Sequence, residues 1–308
     1  MTKCSAPGKM ILLGEHAVVF GKPALALAVD LRISSTVRPS SQYSVNGYPM
    51  RKKHHAYISA SLDEAWEGPP INIDTDSEIP SGSGLGSSAA VTVSCVAAMT
   101  CSKGEIDHEK VARKSFEVEC RVQGRASPTD TSTSTHGYGI LVSPTRQDNL
   151  LWTIEKGEGI WNVHHCEVPP LKFVVGHTGI HAATGPLVAK VKKLVDSDRE
   201  AKKAIDRIGE IVLDGMDAVT KRDKKKIGTL MDEDHLLLNQ LGVGHPMLEK
   251  LVVACKEHSY GAKLTGAGGG GSMMALTDDT ETVARAISAA GGTPIVVEVG
   301  CQGVRIER

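Results

Sequence analysis

Residues 80–90 read PSGSGLGSSAA, and the small and apolar side chains of AAVTVSCVAAM continue directly from them. No charged residue occurs between Glu78 and Lys103. A helix start stabilises an anion, because its first N–H groups have no partner within the helix and its dipole is positive there. Most helix starts include an Asp or Glu for this reason, and this one does not. The stretch therefore predicts a glycine loop and a helix, from about Ser88 to Met99, that together bind a phosphate.

The glycines and serines of this loop fit phosphate chemistry. Glycine adopts positive φ and lets the backbone approach a ligand closely, and serine hydroxyls can donate to phosphate or complete a Mg²⁺ shell. The loop lacks the GxxxxGK[ST] pattern, so it is not a Walker A loop. A glycine turn with an ordinary serine cap is the structural alternative, and the density of glycine and serine favours the phosphate interpretation.

A second glycine cluster lies in KLTGAGGGGSMMAL (263–276). Gly266, Gly268 and Gly271 match the dinucleotide pattern GxGxxG, but that pattern should open a helix, whereas SMMAL is typical of a strand. A flexible hairpin is one alternative, although five glycines in six positions would cost ordering entropy in a passive hairpin. The cluster therefore predicts a backbone that closely approaches a ligand or a facing domain.

The N-terminal segment APGKMILLGEHAVVFGKPALA (6–26) combines an early lysine with an acid–histidine pair around a short apolar strand. Lys9 could stabilise developing negative charge or shift the pKa of a neighbouring group, although an N-terminal lysine is usually on the surface. Glu15 and His16 follow Gly14 and could be a simple polar pair. The segment alone leaves both interpretations open.

Two glutamates on the predicted helix at 106–123 differ in their neighbours. Glu117 has basic residues three or four positions away, which is typical of a surface ion pair. Glu119 has no cation at those spacings and has apolar residues there instead. A buried carboxylate needs a cation, and beside a phosphate loop Mg²⁺ is the natural candidate. A glutamate that reaches water from the edge of the apolar stripe is the alternative.

Asp130 follows that helix, in the hydroxyl-rich stretch GRASPTDTSTST (124–135). This composition is typical of a turn whose carboxylate bonds to nearby backbone N–H groups. A carboxylate that orients a substrate hydroxyl is the functional alternative. The residues alone do not decide between the two.

The composition is that of a globular protein without a nucleic-acid or membrane signature. The chain has 308 residues and a formal net charge of −1, and its basic run KRDKKK (221–226) is typical of a solvated helix end. Seven cysteines without a CxxC pair fit reduced thiols in a cytosolic protein. The uncharged run at 79–102 is rich in Ser, Thr and Gly, which disfavours a membrane-spanning helix. We expect a soluble cytoplasmic protein that binds neither nucleic acid nor membrane.

The pattern of elements changes part-way along the chain. The first half is rich in predicted strands and carries the 80–90 loop, whereas long helical patterns dominate after the VPP at 168–170. This arrangement predicts an α+β protein of two domains, 1–165 and 166–308, and not a regular βαβ alternation.

Taken together, the motifs resemble those of the GHMP small-molecule kinases, whose members phosphorylate sugars, homoserine, mevalonate and related alcohols. PGKMILLGEH, PSGSGLGSSAA and KLTGAGGGGS have the family's order and spacing. The extension GEHAVVFGKPALALAV is similar to the mevalonate kinases, and GHTGIHAATGPLVAKV (176–191) and the compact length are similar to the archaeal ones. The resemblance implies an N-terminal domain like ribosomal S5 domain 2 and a ferredoxin-like C-terminal domain. It also implies ATP and Mg²⁺, a homodimer, and synthesis of mevalonate 5-phosphate for isoprenoids.

The resemblance further implies a role for each motif residue. Asp130 would accept or orient the proton of the substrate alcohol, and Lys9 would pair with it, keep it ionised and stabilise the transferring phosphoryl group. Ser88 and Glu119 would bind Mg²⁺, and for Glu119 this agrees with its helix neighbours. The ATP phosphates would be bound by Gly82, Ser83, Gly84, Leu85, Gly86, Ser87 and Ser88. The mevalonate end of the site would include Glu15, His16, Thr178 and Ala267.

One stretch departs from the family pattern. Many mevalonate kinases have Ser-Gly-x-Asp before the catalytic acid, and here residues 127–130 read SPTD, in which proline stiffens the loop. Three functional alternatives remain: a related kinase for phosphomevalonate, homoserine or a sugar, a nucleotide-binding regulator without turnover, and a dinucleotide-dependent oxidoreductase. The joint presence of Lys9, Glu119 and Asp130 argues against the regulator.

Overall fold

The computed structural model of the protein describes residues 1–102, 104–124, 126–181 and 184–308. Residues 182 and 183, within the GHTGIHAATGPLVAKV stretch, and residue 125, near the start of GRASPTDTSTST, lie outside the described residues. In the described part, strands and helices follow one another irregularly and form two mostly antiparallel sheets, as expected for the predicted α+β class.

The first sheet is formed mainly by the N-terminal half of the chain. Its strands are β1 (Thr2–Leu13), β2 (Ala24–Pro39), β3 (Ser44–Val45), β4 (Tyr48–Pro49), β5 (Ile71–Ser77), β6 (Gly139–Ser143), β7 (Leu150–Lys156) and β8 (Gly159–Cys166). The long strand β2 pairs with β1 on one side, and with β5 and β6 on the other. The sheet continues from β5 to β3 and β4, and from β6 to β8 and β7.

The helices of this half pack on the sheet around one central helix. They are α1 (Ala56–Ala65), α2 (Ser87–Thr100), α3 (His108–Gln123) and α4 (Thr129–His136). Helix α2 contacts β1, β2 and the other three of these helices, and nearly all of its residues from Ala89 to Met99 are buried. A helix surrounded on all sides must be apolar all round, and the small side chains of AAVTVSCVAAM meet that requirement.

The second half forms the other sheet and the long helices that the sequence predicts. Its elements are β9 (Lys172–His177), α5 (Thr184–Ser197), α6 (Arg199–Thr220), α7 (Lys224–Gln240), α8 (Pro246–Cys255), β10 (Gly261–Thr265), β11 (Ser272–Leu276), α9 (Thr280–Ala289) and β12 (Thr293–Glu298). The strand order is β10-β11-β9-β12, and each neighbouring pair is antiparallel. The glycine cluster at 266–271 is the connection between β10 and β11.

The two halves share an apolar core. Leu12 and Leu13 of β1 belong to the same cluster of buried side chains as Phe173 of β9, Leu230 of α7 and Met274 of β11. The end of β1 is therefore in contact with both sheets, which places the GEH turn that follows it at the junction.

The C-terminus returns to the first sheet. The last strand, β13 (Arg305–Ile306), pairs antiparallel with β1, and Val299 forms a bridge with Val29 of β2. The division of the chain at residue 165 remains a prediction, and the residues from Val299 onward contact the half that precedes it. All seven cysteines are free thiols. Within the described ranges, none of the helices combines the length and the apolar character needed to cross a bilayer.

Candidate active site

A cavity of about 410 Å³ is lined by residues from both halves of the chain. This volume suits a small-molecule ligand. The predicted site residues that line it are Lys9, Glu15, His16, Gly82, Gly84, Gly86, Ser87, Ser88, Glu119, Asp130 and Ala267. In the described part of the chain, Ser83, Leu85 and Thr178 lie outside this lining. The structure thus brings most of the predicted residues together, although they are far apart in sequence.

The glycine loop has the backbone that its composition predicts. Gly82, Gly84 and Gly86 have φ of 74°, 74° and 73°, in the left-handed region that residues with a Cβ rarely adopt. Helix α2 begins at Ser87, one residue before the predicted start, and its first turn contains no acidic residue and no side-chain cap. The first N–H groups of α2, in a part of the helix that lines the cavity, therefore have no anion from the helix's own first turn, which suits an anion from a ligand.

The loop is fixed at both sides by backbone carbonyls. The carbonyl of Leu85 accepts a 2.9 Å hydrogen bond from the Lys9 backbone N–H, and the Leu85 side chain is fully buried. The carbonyl of Ser83 accepts a 2.6 Å hydrogen bond from Ser272 Oγ, at the start of β11. Ser83 and Leu85 therefore anchor the loop. The bond from Ser272 also shows that the second glycine cluster closely approaches the facing half, as predicted.

Lys9 and Asp130 form an ion pair in the wall of the cavity. The Lys9 Nζ lies 3.0 Å from Asp130 Oδ2, and the lysine side chain is buried while that of the aspartate is 28 % exposed. The Lys9 side chain passes directly under Gly86, where an added Cβ would lie 2.7 Å from its Cγ and 2.8 Å from its Cε. The lysine is therefore not on the surface, and the glycine loop leaves the space through which it reaches the aspartate.

Asp130 lies in a helix, and not in the turn that its composition offered as one of two alternatives. It is in the first turn of α4, directly after Pro128, whose φ of −74° suits the position before a helix. Ser and Thr form helices poorly by themselves because their hydroxyls compete for backbone groups. Here Thr133 and Thr135 donate to carbonyls four residues earlier, each at 2.7 Å, and α4 is buried between β1, β2, α2 and α3. Tertiary packing outweighs helix propensity in this segment.

Glu119 is buried, as its helix neighbours predict. Its Oε1 accepts a 3.1 Å hydrogen bond from Gln123 Nε2, and its Oε2 is buried without a hydrogen-bond partner in the described part of the protein. Burial, followed by the negative charge of Asp130, raises the pKa of Glu119 to about 8, and Lys9 acts in the opposite direction. An orphaned carboxylate oxygen beside Asp130 and near the phosphate-type loop fits a divalent cation as its missing partner.

The protein groups near Glu119 Oε2 suit Mg²⁺ better than a metal ion whose ligands are all side chains. Across the described ranges, no group of three or more His, Cys, Asp and Glu residues is placed to hold a metal ion. Mg²⁺ is commonly bound through one or two protein groups, with water and substrate phosphates as its other ligands. Glu119 and Ser88, both in the cavity lining, are donors of the right type.

Glu15 and His16 lie at the junction of the two halves and have partners that the sequence did not reveal. Glu15 is buried and forms an ion pair with Lys263 of β10, which also lies 3.1 Å from Asp234 Oδ2 of α7. The only sequence signal for Lys263 is a charged residue inside a short strand, within the KLTGAGGGGS motif. Asp234 has no such signal, because only the packing of α7 against β10 brings it there.

His16 and Ala267 meet across the cavity wall. The His16 Nε2 lies 3.0 Å from the Ala267 carbonyl oxygen, while Nδ1 is buried without a partner among the described residues. His16 has φ of 62° and ψ of −38°, a positive-φ conformation that is uncommon for a residue with a side chain. Thr178 is beside the site, and its hydroxyl donates to the Gly271 carbonyl at 2.8 Å. Thr178 therefore supports the second glycine cluster, and its predicted contact with substrate is untested.

Comparison with known proteins agrees with this arrangement. The GHMP kinases N terminal domain matches residues 53–138, and the GHMP kinases C terminal domain matches residues 216–293. A mevalonate kinase of Thermococcus sibiricus is 35% identical over 98% of this chain and 97% of its own, and that of Archaeoglobus fulgidus is 33% identical over 98% and 99%. The chain belongs to the mevalonate kinase family of the GHMP kinases. Coverage of nearly the whole of both chains means that both domains and their connection are shared.

The fold is also that of a solved member of the family. The crystal structure of L. major mevalonate kinase in complex with R-mevalonate has a TM-score of 0.81 to this chain at 24% identity, and covers 98% of this chain and 97% of its own. At this identity the likeness shows the fold alone. The predicted two-domain GHMP kinase fold is confirmed.

Proposed function

We propose that the protein transfers the γ-phosphoryl group of ATP to the primary hydroxyl of mevalonate, which yields mevalonate 5-phosphate for isoprenoid synthesis and ADP. The observation that carries this proposal is the Lys9–Asp130 ion pair directly beneath the glycine loop, in a member of the mevalonate kinase family. Phosphoryl transfer depends on positioning and on charge stabilisation, so the acceptor alcohol and the phosphate-binding loop must meet beside groups such as this ion pair.

The loop and the start of α2 hold the phosphates in this proposal. The backbone N–H groups between Gly82 and Ser88 donate to phosphate oxygens, and the positive end of the α2 dipole adds to the attraction. The anchoring of the loop by Ser272 couples phosphate binding to the second half of the chain. Ordering the loop before ATP arrives reduces the entropy cost of binding.

Asp130 and Lys9 act on the alcohol and on the transferring group. The Asp130 carboxylate accepts, or orients, the proton of the attacking hydroxyl, since Asp130 lines the cavity and its Oδ2 is paired with Lys9. The buried Lys9 side chain pairs with this carboxylate and stabilises negative charge that develops on the phosphoryl oxygens. Both side chains come from rigid elements, β1 and α4.

Mg²⁺ completes the proposal through Ser88 and Glu119. When bound, it would neutralise phosphate charge and give the buried Oε2 of Glu119 the partner it lacks.

A homodimer and a cytoplasmic location, expected from the sequence, also remain part of the proposal. Light scattering and cell fractionation test these two points.

A panel of alcohols in an ADP-release assay tests the function. With ATP and Mg²⁺ we expect turnover with R-mevalonate and at least a hundredfold lower kcat/KM with phosphomevalonate, homoserine and galactose. Asp130→Asn serves as the matched control for contaminating ATPase. Preferred turnover of another alcohol would assign the protein to a different branch of the kinases. ATP binding without ADP release on any alcohol would favour the nucleotide-binding regulator.

A further inference from the structure

Glu15 belongs to a buried group of charges that connects the two halves of the molecule. We define this acid–lysine cluster as Glu15, which follows β1, Lys263 on β10 and Asp234 on α7. Lys263 Nζ contacts Glu15 Oε1 and lies 3.1 Å from Asp234 Oδ2. The side chains of Lys263 and Asp234 have 0% exposure and that of Glu15 has 1%. None of the three charges is screened directly by water.

The acid–lysine cluster is unbalanced in charge, because two carboxyl groups share one ammonium. The other titratable groups that face it do not supply a second positive charge. Burial lowers the pKa of His16 on the same turn, and of His235 on α7, so both are neutral near pH 7. His235 in turn faces the carboxyl groups of Glu249 and Asp232.

Protonation of one carboxyl group would restore the balance. Glu15 Oε2 and Asp234 Oδ1 are buried without hydrogen-bond partners among the described residues, so neither carboxylate is solvated as an anion normally is. Burial is the largest cause that raises the pKa of Glu15, to about 8, and burial likewise raises the pKa of Asp234. Two carboxyl groups that contact the same ammonium titrate as a pair, and the excess of buried negative charge favours the retention of one proton.

Glu15 is the member of the acid–lysine cluster that belongs to the cavity wall. Glu15 and His16 line the cavity, whereas Asp234 and Lys263 are not among its lining residues in the described part of the chain. A change in the charge of the pair is therefore transmitted to a ligand through Glu15. Asp234 and Lys263 act on the site without touching it.

We propose that Asp234 and Lys263 are positioning residues that hold Glu15 and one shared proton at the substrate end of the cavity, and that an anionic hydroxy acid binds tightly only while this proton is present. The inference rests on the proposed function, because mevalonate is a small anion with hydroxyl groups. Loss of the proton leaves a net negative charge, buried and unscreened, next to the anion.

The proposal fixes the direction and the pH range of the effect. If only the protonated pair binds substrate, KM for mevalonate is constant below about pH 7.5 and rises above pH 8, by about tenfold between pH 7 and pH 9. The KM for ATP stays constant over this range. The value of kcat at saturating mevalonate also stays within a factor of about two, since saturation restores the proton.

Asp234→Asn provides the decisive variant. It removes one carboxylate with little change of shape and leaves Glu15 and Lys263 as a balanced pair, so the rise in KM for mevalonate should disappear between pH 7 and pH 9. Glu233→Gln is the matched control, because this residue lies on the same helix but pairs at the surface with Arg207. It should retain the full tenfold rise. An equal rise in Asp234→Asn, or a flat profile in the unchanged protein, overturns the proposal.

Lys263→Gln tests the role of the lysine separately. Without the ammonium, both carboxyl groups hold protons more firmly, so the rise in KM should begin at a higher pH than in the unchanged protein. A rise that begins at the same pH would exclude Lys263 from the role proposed for it.

Calorimetry of the unchanged protein covers the case in which these variants do not fold. Mevalonate binding measured in buffers of different ionisation enthalpy should show no proton uptake at pH 7 and uptake of about one proton at pH 9. Binding at pH 9 without uptake overturns the proposal. Failure of the proposed function gives a different result, namely no mevalonate-dependent ADP release at any pH.

Discussion

Gly86→Ala tests whether the space under the glycine loop sets the position of the catalytic lysine. The added Cβ would lie 2.7 Å from Lys9 Cγ and 2.8 Å from its Cε, closer than real carbon contacts. Since Cγ is near the backbone of β1, the lysine cannot avoid the methyl group without moving its Nζ away from Asp130, now 3.0 Å distant. A displacement of about 1 Å at a reacting centre typically lowers turnover by about a hundredfold.

The positive φ of residue 86 has a second effect, a loss of stability, which can be measured separately from the loss of turnover. Alanine at φ of 73° is strained by roughly 1–2 kcal/mol, which lowers thermal stability by a few degrees. Gly84→Ala carries the same strain, since Gly84 has φ of 74°, but its Cβ would meet the Ser272 side chain at ordinary distances, 3.7 Å from Oγ and 3.8 Å from Cβ. The two variants therefore share the strain and differ in the contact with Lys9.

Steady-state kinetics and differential scanning fluorimetry of both variants separate the two effects. We expect similar decreases in melting temperature, a rise in KM for ATP in both, and a kcat at least about tenfold lower in Gly86→Ala than in Gly84→Ala. Equal kcat values at equal stability would refute the reasoning, because the lysine would then tolerate a methyl group in its path.

Other predictions follow from single contacts of the site. Lys9→Met and Asp130→Asn should each lower kcat by roughly 10²–10³ while ATP still binds in a fluorescent-nucleotide assay, and near-normal kcat in both would exclude the assigned roles. Since burial raises the pKa of Glu119 to about 8, its ionisation destabilises the metal-free fold as pH rises from 4.5 to about 8. At pH 8 without Mg²⁺, Glu119→Gln should therefore melt at a higher temperature than the unchanged protein. Near pH 5 the two proteins should melt at the same temperature. An equal increase in melting temperature at both pH values would contradict this explanation. Ser272→Ala loses the 2.6 Å hydrogen bond to the Ser83 carbonyl and should raise KM for ATP by roughly 2–10-fold at nearly unchanged kcat. An unchanged KM for ATP would show that this hydrogen bond does not position the loop.

The sequence was most informative about the features of the site that depend on local backbone conformation. The glycines at 82, 84 and 86 and the charge-free helix start can be read directly, because positive φ and exposed N–H groups depend on residue type and not on distant partners. The burial of Glu119 was also accessible, since helix geometry fixes which neighbours surround it.

The sequence alone did not predict the features of the site that depend on contacts between elements distant in the chain. The hydroxyl-rich segment around Asp130 has the composition of a turn, yet it forms a buried helix because β1, β2, α2 and α3 enclose it. The ion pair between Lys9 and Asp130 joins residues 121 positions apart, and its geometry depends on the packing of α4 against β1.

The sequence by itself determined that a phosphate-type loop, a lysine, and two carboxylates of different character are present in this order, because local backbone and helix geometry leave recognisable residue patterns. Only the tertiary structure decided that Lys9 passes under Gly86 to Asp130, and that Lys263 and Asp234 enclose Glu15 at the junction of the halves. The physical reason is that the charge balance of a buried group depends on every element around it, and residues from α7 and β10 reach Glu15 only after both sheets have formed.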